Sequence, residues 1–216
     1  MSLTLFLHPL SSYCHKALIA LYETGTPFTP HLVELQKPES RAAFKAIWPV
    51  GKFPVLRDET NGRVIPESTS IIEYLAWRYP GPARLVPEDA AAAFDVRATD
   101  RFYDLHIHTH MQRMIGERLR PADQKDPYGL EQASTALNVG LGVAEKTMAS
   151  RTWAAGEAFS MADCAAAPAL FYVDMAVAPL AGSYPNLAAY LERLKQRPSY
   201  ARVLEEAQPY MQFVPR

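Results

Sequence analysis

The sequence has few of the features that mark extracellular or membrane proteins. It contains only two cysteines, Cys14 and Cys164, far apart in the chain. A small extracellular domain held by disulfides needs a denser cysteine pattern, so we expect a reducing, cytoplasmic location. No apolar run has the length of a membrane span. Residues 1–4 have neither the charged start nor the apolar core of a secretory signal, and we expect none.

An excess of charge of one sign is also missing. The 22 basic and 23 acidic side chains give a net charge of −1, with no basic stripe and no acidic tail. Proteins that bind nucleic acids or anionic membranes carry clustered Lys and Arg, so we expect neither partner. Hydrophobic residues make up 49% of the 216 positions, which is typical of a globular protein and leaves room for two domains.

Residues 1–80 predict an α/β domain with the order βαβαββα. Apolar runs at 3–7 and 28–35 are strand candidates, and a helix that begins near Ser12 separates them. The dipeptide Asn61-Gly62 lies between two further strand candidates and predicts a hairpin. A last helix begins at Ser68. Strands joined through a helix pair in parallel and hairpin strands antiparallel, so the pattern predicts a mixed sheet.

The rest of the chain has a different pattern of apolar residues. A Pro- and Gly-rich stretch ends the first domain, and we assign residues 81–88 to a linker. Residues 89–216 contain only helical periodicity, including one long pattern from Glu88 to Leu119. The sequence therefore predicts an α/β domain at 1–80 followed by an all-α helical bundle.

Two helix starts in the first domain carry hydroxyl side chains. Ser11 and Ser12 follow the first strand, and Glu67-Ser68 precedes the last helix of the domain. Unpaired N–H groups and the helix dipole make such starts suitable for an anion, although a serine there more often only caps the helix. Pro54 opens a strand, where a cis bond would expose the Phe53 backbone to an extended ligand. Together these features fit a peptide-like ligand with a thiol, a carboxylate and an amine.

Three motifs resemble those of the cytosolic glutathione transferases. The stretch Gly51–Leu56 is similar to the family's segment around its cis-proline, and Pro66-Glu67-Ser68 to its pair that holds the γ-glutamyl group. Phe159–Cys164 resembles the buried capping box of the helical domain, with Ser160 as N-cap and Asp163 as its acid. The sequence is identified as a serine-type, bacterial-like member with theta- and zeta-like features. This implies a thioredoxin-like first domain.

The resemblance also implies roles for individual residues. Ser11 would hydrogen-bond the glutathione thiolate and lower the thiol pKa, with Ser12 as the alternative. Tyr13 departs from the position of the tyrosine-type hydroxyl, so we do not expect it to be catalytic. The residues implied to bind glutathione are Gln36, Lys37, Lys52, Phe53, Pro54, Glu67 and Ser68.

The second-substrate pocket would come from the helical domain. Tyr103, His106 and His110 recur at helical spacing, with Tyr172 opposite, although such a stripe is more often core. His106 and His110 could form a metal pair, but no further ligands complete a site, and we expect no metal. Cys14 occupies the second position of a Ser-x-x-Cys pattern and is expected to be core rather than a redox centre.

The resemblance implies a homodimeric detoxification enzyme that conjugates glutathione, as co-substrate, to small hydrophobic electrophiles. Two alternatives stay open. A glutathione-dependent isomerase of the maleylacetoacetate type, or a dehalogenase, would use the same scaffold. A non-catalytic binding module would use the fold without turnover, because fold does not determine function.

Overall fold

The predicted βαβαββα order is present in the computed structural model, which describes residues 2–215. The elements are β1 (Leu3–Leu7), α1 (Ser12–Thr24), β2 (Thr29–Leu32), α2 (Pro38–Ile47), β3 (Val55–Asp58), β4 (Arg63–Pro66) and α3 (Ser68–Arg78). The second strand is shorter than the predicted 28–35. The helix α2 begins at Pro38, since a proline fits the first turn of a helix, where its missing N–H is not needed.

The four strands form one mixed sheet in the order β2-β1-β3-β4. β1 pairs parallel with β2 and antiparallel with β3, and β4 completes the hairpin. Side chains alternate along β1: Leu3, Leu5 and Leu7 join the large core under α1 and α3, whereas Phe6 packs with Phe44 of α2 on the opposite face. The sheet is therefore covered on both faces.

The second part of the described chain is helical, apart from an isolated bridge between Trp153 and Gly156. Its elements are α4 (Ala90–Phe102), a π-helical turn (Tyr103–His108), α5 (Thr109–Arg118), a 3-10 turn (Ala122–Gln124), α6 (Pro127–Met148), α7 (Met161–Ala176), α8 (Pro185–Lys195), α9 (Pro198–Ala207) and a 3-10 stretch (Gln208–Phe213). The predicted long helix after residue 88 therefore exists, but a π-helical turn interrupts it.

The helix α7 forms the centre of this domain and starts with a capping box. The Ser160 hydroxyl accepts from the Ala162 N–H, and the Asp163 carboxylate accepts from the Ser160 N–H at 2.8 Å. Asp163 also accepts from the Ala154 N–H at 2.8 Å and from the Tyr190 hydroxyl at 2.5 Å. Because both Ser160 and Asp163 are buried, this network ties three segments of the domain together.

A buried ion-pair cluster joins the two parts of the chain. Lys16 of α1 is fully buried, and its Nζ lies 2.6 Å from an Asp100 carboxylate oxygen and 2.8 Å from one of Asp104. The same ammonium donates to the Thr69 hydroxyl at 2.7 Å, so α1, α3, α4 and the π-helical turn meet at one charge. No sequence pattern identified this cluster. The boundaries at 80 and 89 stay a prediction.

Candidate active site

A cleft of about 410 Å³ lies between the α/β domain and the helical domain. Its first wall comes from the α/β domain and consists of Tyr13, Lys52, Phe53, Pro54, Glu67, Ser68, Thr69 and Ser70. Its second wall comes from the helical domain and consists of Arg101, Asp104, Leu105 and Thr109. Five of the residues that the sequence assigned to glutathione line this cleft: Lys52, Phe53, Pro54, Glu67 and Ser68.

The first wall presents backbone groups. The Phe53–Pro54 peptide bond is cis, and both residues line the cleft. Glu67 occupies the position before α3 with φ 68°, a left-handed conformation that a non-glycine residue adopts only at a cost of about 1–3 kcal/mol. No side chain caps this helix start, although the sequence predicted Ser68 to do so. The first N–H groups of α3 are therefore available to an anion in the cleft.

Ser11 is the N-cap of α1. Its Oγ accepts a hydrogen bond from the Cys14 N–H at 3.3 Å, and the side chain is half-buried. A hydroxyl has two acceptor lone pairs and one proton, so capping leaves the Ser11 proton available to a second partner. Capping and contact with an anion are therefore compatible. Ser11 is not among the residues that line the cleft, whereas Tyr13, two positions later, is.

Ser12 does not face the cleft, and its position does not support the alternative assignment to it. Its side chain is fully buried, and its Oγ accepts from the Gln112 amide at 2.6 Å. The same oxygen lies 2.6 Å from Nε2 of His108, whose pKa burial lowers to about 3. A neutral imidazole can accept the Ser12 proton, so the hydroxyl is satisfied inside the core. Ser12 joins α1 to the helical domain.

Tyr13 belongs to the cleft wall, which sequence reasoning missed. Its ring stacks on that of His108, with centroids 3.8 Å apart. Burial, reinforced by the Asp104 carboxylate, raises the pKa of Tyr13 to about 12. The phenol therefore stays protonated near neutral pH and offers a hydrogen-bond donor to the cleft.

The expected second-substrate residues lie elsewhere. Tyr103 and Tyr172 are buried, His106 is exposed, His110 is half-buried, and none of the four lines the cleft. The prediction assumed α-helical spacing from 103 to 110, whereas the π-helical turn shifts the phase of the side chains that follow it, His110 among them. The residues that face the cleft are instead Arg101, Asp104, Leu105 and Thr109.

Gln36 and Lys37 also lie outside the cleft. Both are exposed in the loop before α2, and the Lys37 ammonium pairs with Glu34 at 2.7 Å. Lys52 is the cation that the first wall supplies. The proposed role of the 36–37 loop in binding is therefore not supported by its position.

Charges of both signs line the cleft. Lys52 and Arg101 are cationic, whereas Glu67 and Asp104 are anionic. Arg101 is about half exposed, and its guanidinium lies 3.8 Å from Asp104. One Asp104 carboxylate oxygen has no hydrogen-bond partner in the described chain, although it is buried. This arrangement suits a flexible zwitterion with separated carboxylates and an ammonium group.

Metal binding and a reactive cysteine thiolate have less support. Within residues 2–215, no group of three or more His, Cys, Asp and Glu side chains could hold a metal ion. Burial raises the pKa of the Cys14 thiol to about 12, so this sulfur is not a thiolate at neutral pH. In the same part of the chain, no helix combines the length and apolarity that crossing a bilayer requires.

Comparison with known proteins decides the family. Residues 5–83 match the glutathione S-transferase N-terminal domain, and residues 102–198 match the C-terminal domain. The chain belongs to the glutathione S-transferase family. A glutathione S-transferase-like protein, LUC7 of Fusarium, is 31% identical over 78% of this chain and 74% of its own length. Mouse glutathione S-transferase theta-1 is 30% identical over 90% of this chain and 83% of its own.

Other members of the family have different names. A maleylpyruvate isomerase of Ralstonia is 30% identical over 92% of this chain and 95% of its own length. The FtsZ-localized protein A of Caulobacter vibrioides is 28% identical over 95% of this chain and 92% of its own length. A Methylobacillus flagellatus glutathione S-transferase solved with bound glutathione superposes with a TM-score of 0.85, at 28% identity over 93% of this chain and 98% of that one.

Proposed function

We propose that this protein is a glutathione transferase that conjugates glutathione to a small hydrophobic electrophile. The observation that carries the proposal is one cleft lined by the uncapped start of α3, by Tyr13 from the first turn of α1 and by charges of both signs. A hydroxyl at one start suits a thiolate, and free N–H groups at the other suit a carboxylate. We further propose a cytoplasmic role in detoxification.

The geometry supports one orientation of glutathione. Lys52 would pair with the glycyl carboxylate, and the backbone of Phe53 with the cysteinyl portion. The γ-glutamyl carboxylate would lie at the start of α3 by Ser68, and its ammonium beside Glu67. Arg101 and Asp104 lie across the cleft and repeat this pair of charges from the helical domain.

The reaction would begin with a thiolate at α1. The Ser11 proton and the first N–H groups of the helix stabilise the charged sulfur and lower its pKa. The sulfur then attacks an electrophilic carbon, a C–S bond forms, and the leaving group departs with its electron pair. Tyr13, Leu105 and Thr109 replace the expected residues as the electrophile side of the cleft.

A glutathione-dependent isomerase is the second candidate. The similarity to a maleylpyruvate isomerase over nearly its full length favours it. Isomerisation would use the same thiolate but release glutathione unchanged. Dehalogenation stays a variant of the first proposal, with halide as the leaving group, and the non-catalytic module stays the alternative from another class.

We also propose a homodimer formed through α3 and α4. Trp77 of α3 and Phe94 of α4 are each 69% exposed, which is unusual for such large apolar side chains. The two helices are held together on the same side of the molecule by the pair of Arg97 and Glu73. Sedimentation of Trp77→Glu beside the wild type tests this proposal, with a monomer as the expected result for the variant.

The central experiment titrates the thiol of bound glutathione. Ultraviolet difference absorbance of the wild-type complex against pH should give a thiol pKa well below that of free glutathione. Ser11→Ala should raise that pKa by about 1–2, since a hydrogen bond to a charged group contributes about 1.5–3 kcal/mol. Ser11→Thr keeps the hydroxyl and is the matched control. An unchanged pKa in Ser11→Ala would remove Ser11 from the mechanism.

A panel of aryl halides, haloalkanes and maleylacetoacetate separates the candidate reactions. Conjugation consumes glutathione, whereas isomerisation does not. Binding without any turnover would support the non-catalytic module, and failure to bind immobilised glutathione would contradict both enzyme proposals.

A further inference from the structure

Two buried side chains hold the loop that precedes Ser11. His15 Nε2 donates to the Pro9 carbonyl oxygen at 2.6 Å, and the Tyr172 hydroxyl donates to the Leu10 carbonyl oxygen at 2.9 Å. These are consecutive carbonyls in the segment between β1 and α1. Tyr172 belongs to α7 of the helical domain, so this domain reaches the loop through the core.

The protonation state of His15 follows from its surroundings. The ring is fully buried, and burial lowers its pKa to about 4, so it is neutral near pH 7. A carbonyl oxygen only accepts, so the single ring proton of His15 lies on Nε2. The other nitrogen, Nδ1, has no partner within the described chain, in agreement with this tautomer. His15 therefore acts as a fixed donor.

The rest of the loop is held by its own groups. The Leu10 N–H donates to His8 Nδ1 at 3.2 Å, and the Ser11 N–H donates to the His8 carbonyl oxygen at 2.9 Å. Because His15 and Tyr172 are buried, the carbonyl oxygens of Pro9 and Leu10 point into the core. The negative ends of two peptide dipoles are thereby kept away from the site where the thiolate would form. A negative group near a thiol raises its pKa.

We propose that His15 and Tyr172 are positioning residues for the thiolate site, a role that rests on the proposed function of Ser11. By holding two carbonyls inward, they set the path of the chain into α1 and the direction of the Ser11 hydroxyl. Neither residue touches the ligand. Tyr172, expected to line the second-substrate pocket, acts instead from inside the protein.

The test compares two buried tyrosines that differ in their acceptors. Tyr172→Phe removes only the bond to the Leu10 carbonyl. Tyr200→Phe is the matched control, because Tyr200 is equally buried in the same aromatic cluster but donates to Ala167 of α7 at 3.3 Å. We expect Tyr172→Phe to raise the pKa of the bound thiol by about 0.5–1 and to lower kcat/KM at neutral pH about three- to tenfold. Tyr200→Phe should change neither, although both variants lose similar thermal stability.

A second pair of variants covers the case in which Tyr172→Phe does not fold. His15→Gln keeps an N–H donor near the position of Nε2, whereas His15→Leu removes it. The proposal expects the wild-type thiol pKa in the first variant and a raised one in the second. It is overturned by the same thiol pKa in both variants, or by equal shifts in Tyr172→Phe and Tyr200→Phe.

The wild type separates this proposal from the proposed function. If wild-type protein does not bind glutathione or does not lower its thiol pKa, the proposed function fails and the positioning role fails with it. If the wild type lowers the pKa and Tyr172→Phe lowers it equally, only the positioning role is wrong.

Discussion

The two walls of the cleft are built in different ways. The α/β wall presents backbone groups, held by a cis peptide bond at Pro54 and by the left-handed Glu67 before α3. The helical wall presents side chains of α4, the π-helical turn and α5, and the π-helical turn sets the direction of those that follow it. The geometry of the first wall depends on local conformation, whereas that of the second depends on packing far away in sequence.

This difference predicts where substitutions act. Changes at the exposed residues of the α/β wall, Lys52, Glu67 and Ser70, should alter glutathione binding with little loss of stability. Substitutions of buried residues that pack against the helical wall should mainly lower the free energy of unfolding. They should change the cleft only by displacing the π-helical turn.

Asp163→Ala should have the largest effect. Its carboxylate accepts bonds from Ser160, Ala154 and Tyr190, and removal leaves buried donors without partners. We expect the free energy of unfolding to fall by roughly 3–5 kcal/mol, measured by urea denaturation. Asp163→Asn keeps the size and one acceptor oxygen, and should lose less. A loss below about 1 kcal/mol in the alanine variant would contradict the structural role of the network.

Acid should weaken the fold through His15. Its pKa is about 4 in the folded protein because of burial, against 6.5 for an unperturbed histidine. The unfolded chain therefore binds the proton first, so stability is complete above pH 6.5 and falls as the pH drops toward 4, by at most about 3 kcal/mol. Urea denaturation at several pH values measures this slope. His15→Gln, which cannot take up the proton, should reduce this slope, and His108, whose pKa burial lowers to about 3, contributes to what remains. An unchanged slope would count against the assignment.

Gly140→Ala should displace the π-helical turn. A Cβ at this position of α6 would lie 2.4 Å from the His106 backbone oxygen, so the backbone must move. We expect a stability loss of about 1–3 kcal/mol and a changed KM for the electrophile. Gly142→Ala, on the same helix with nothing within 4 Å, is the control and should be neutral or slightly stabilising. Equal stability and equal KM in the two variants would show that contact with α6 does not determine the position of the π-helical turn.

Glu67→Gln should have the smallest effect on the fold and a clear effect on binding. The exposed carboxylate makes no capping bond, so the melting temperature should stay unchanged. The Kd for glutathione, measured by calorimetry, should rise about tenfold through loss of the charge opposite the ammonium. Glu73→Gln removes an acid from the same helix that pairs with Arg97 outside the cleft, and should leave the Kd unchanged.

Part of the first wall could be predicted from the sequence because its motifs are local. The proline that opens β3 and the Glu67-Ser68 pair before α3 are recognised from neighbouring residues, but the positive φ of Glu67 and the place of Tyr13 do not follow from them. The element order and the capping box at Ser160 follow from equally local patterns. The choice between Ser11 and Ser12 does not, since the partners that bury Ser12 lie 96 and 100 positions away.

The second wall could not be predicted because its geometry depends on contacts between residues that lie far apart in the sequence. A pattern of apolar residues cannot distinguish an α-helix from one interrupted by a π-helical turn. The turn also packs closely against Gly140, a contact between residues far apart in the sequence. Tyr13 was missed because its place in the cleft depends on stacking against His108 of the other domain.

The Lys16 cluster has a consequence for chimeric enzymes. An α/β half grafted onto the helical half of a relative would keep the buried ammonium but lose Asp100 and Asp104 unless the donor chain carries acids there. An unpaired buried charge costs several kcal/mol, comparable to the whole stability of a domain. A chimera that exchanges the two halves must therefore keep Lys16, Asp100 and Asp104 together.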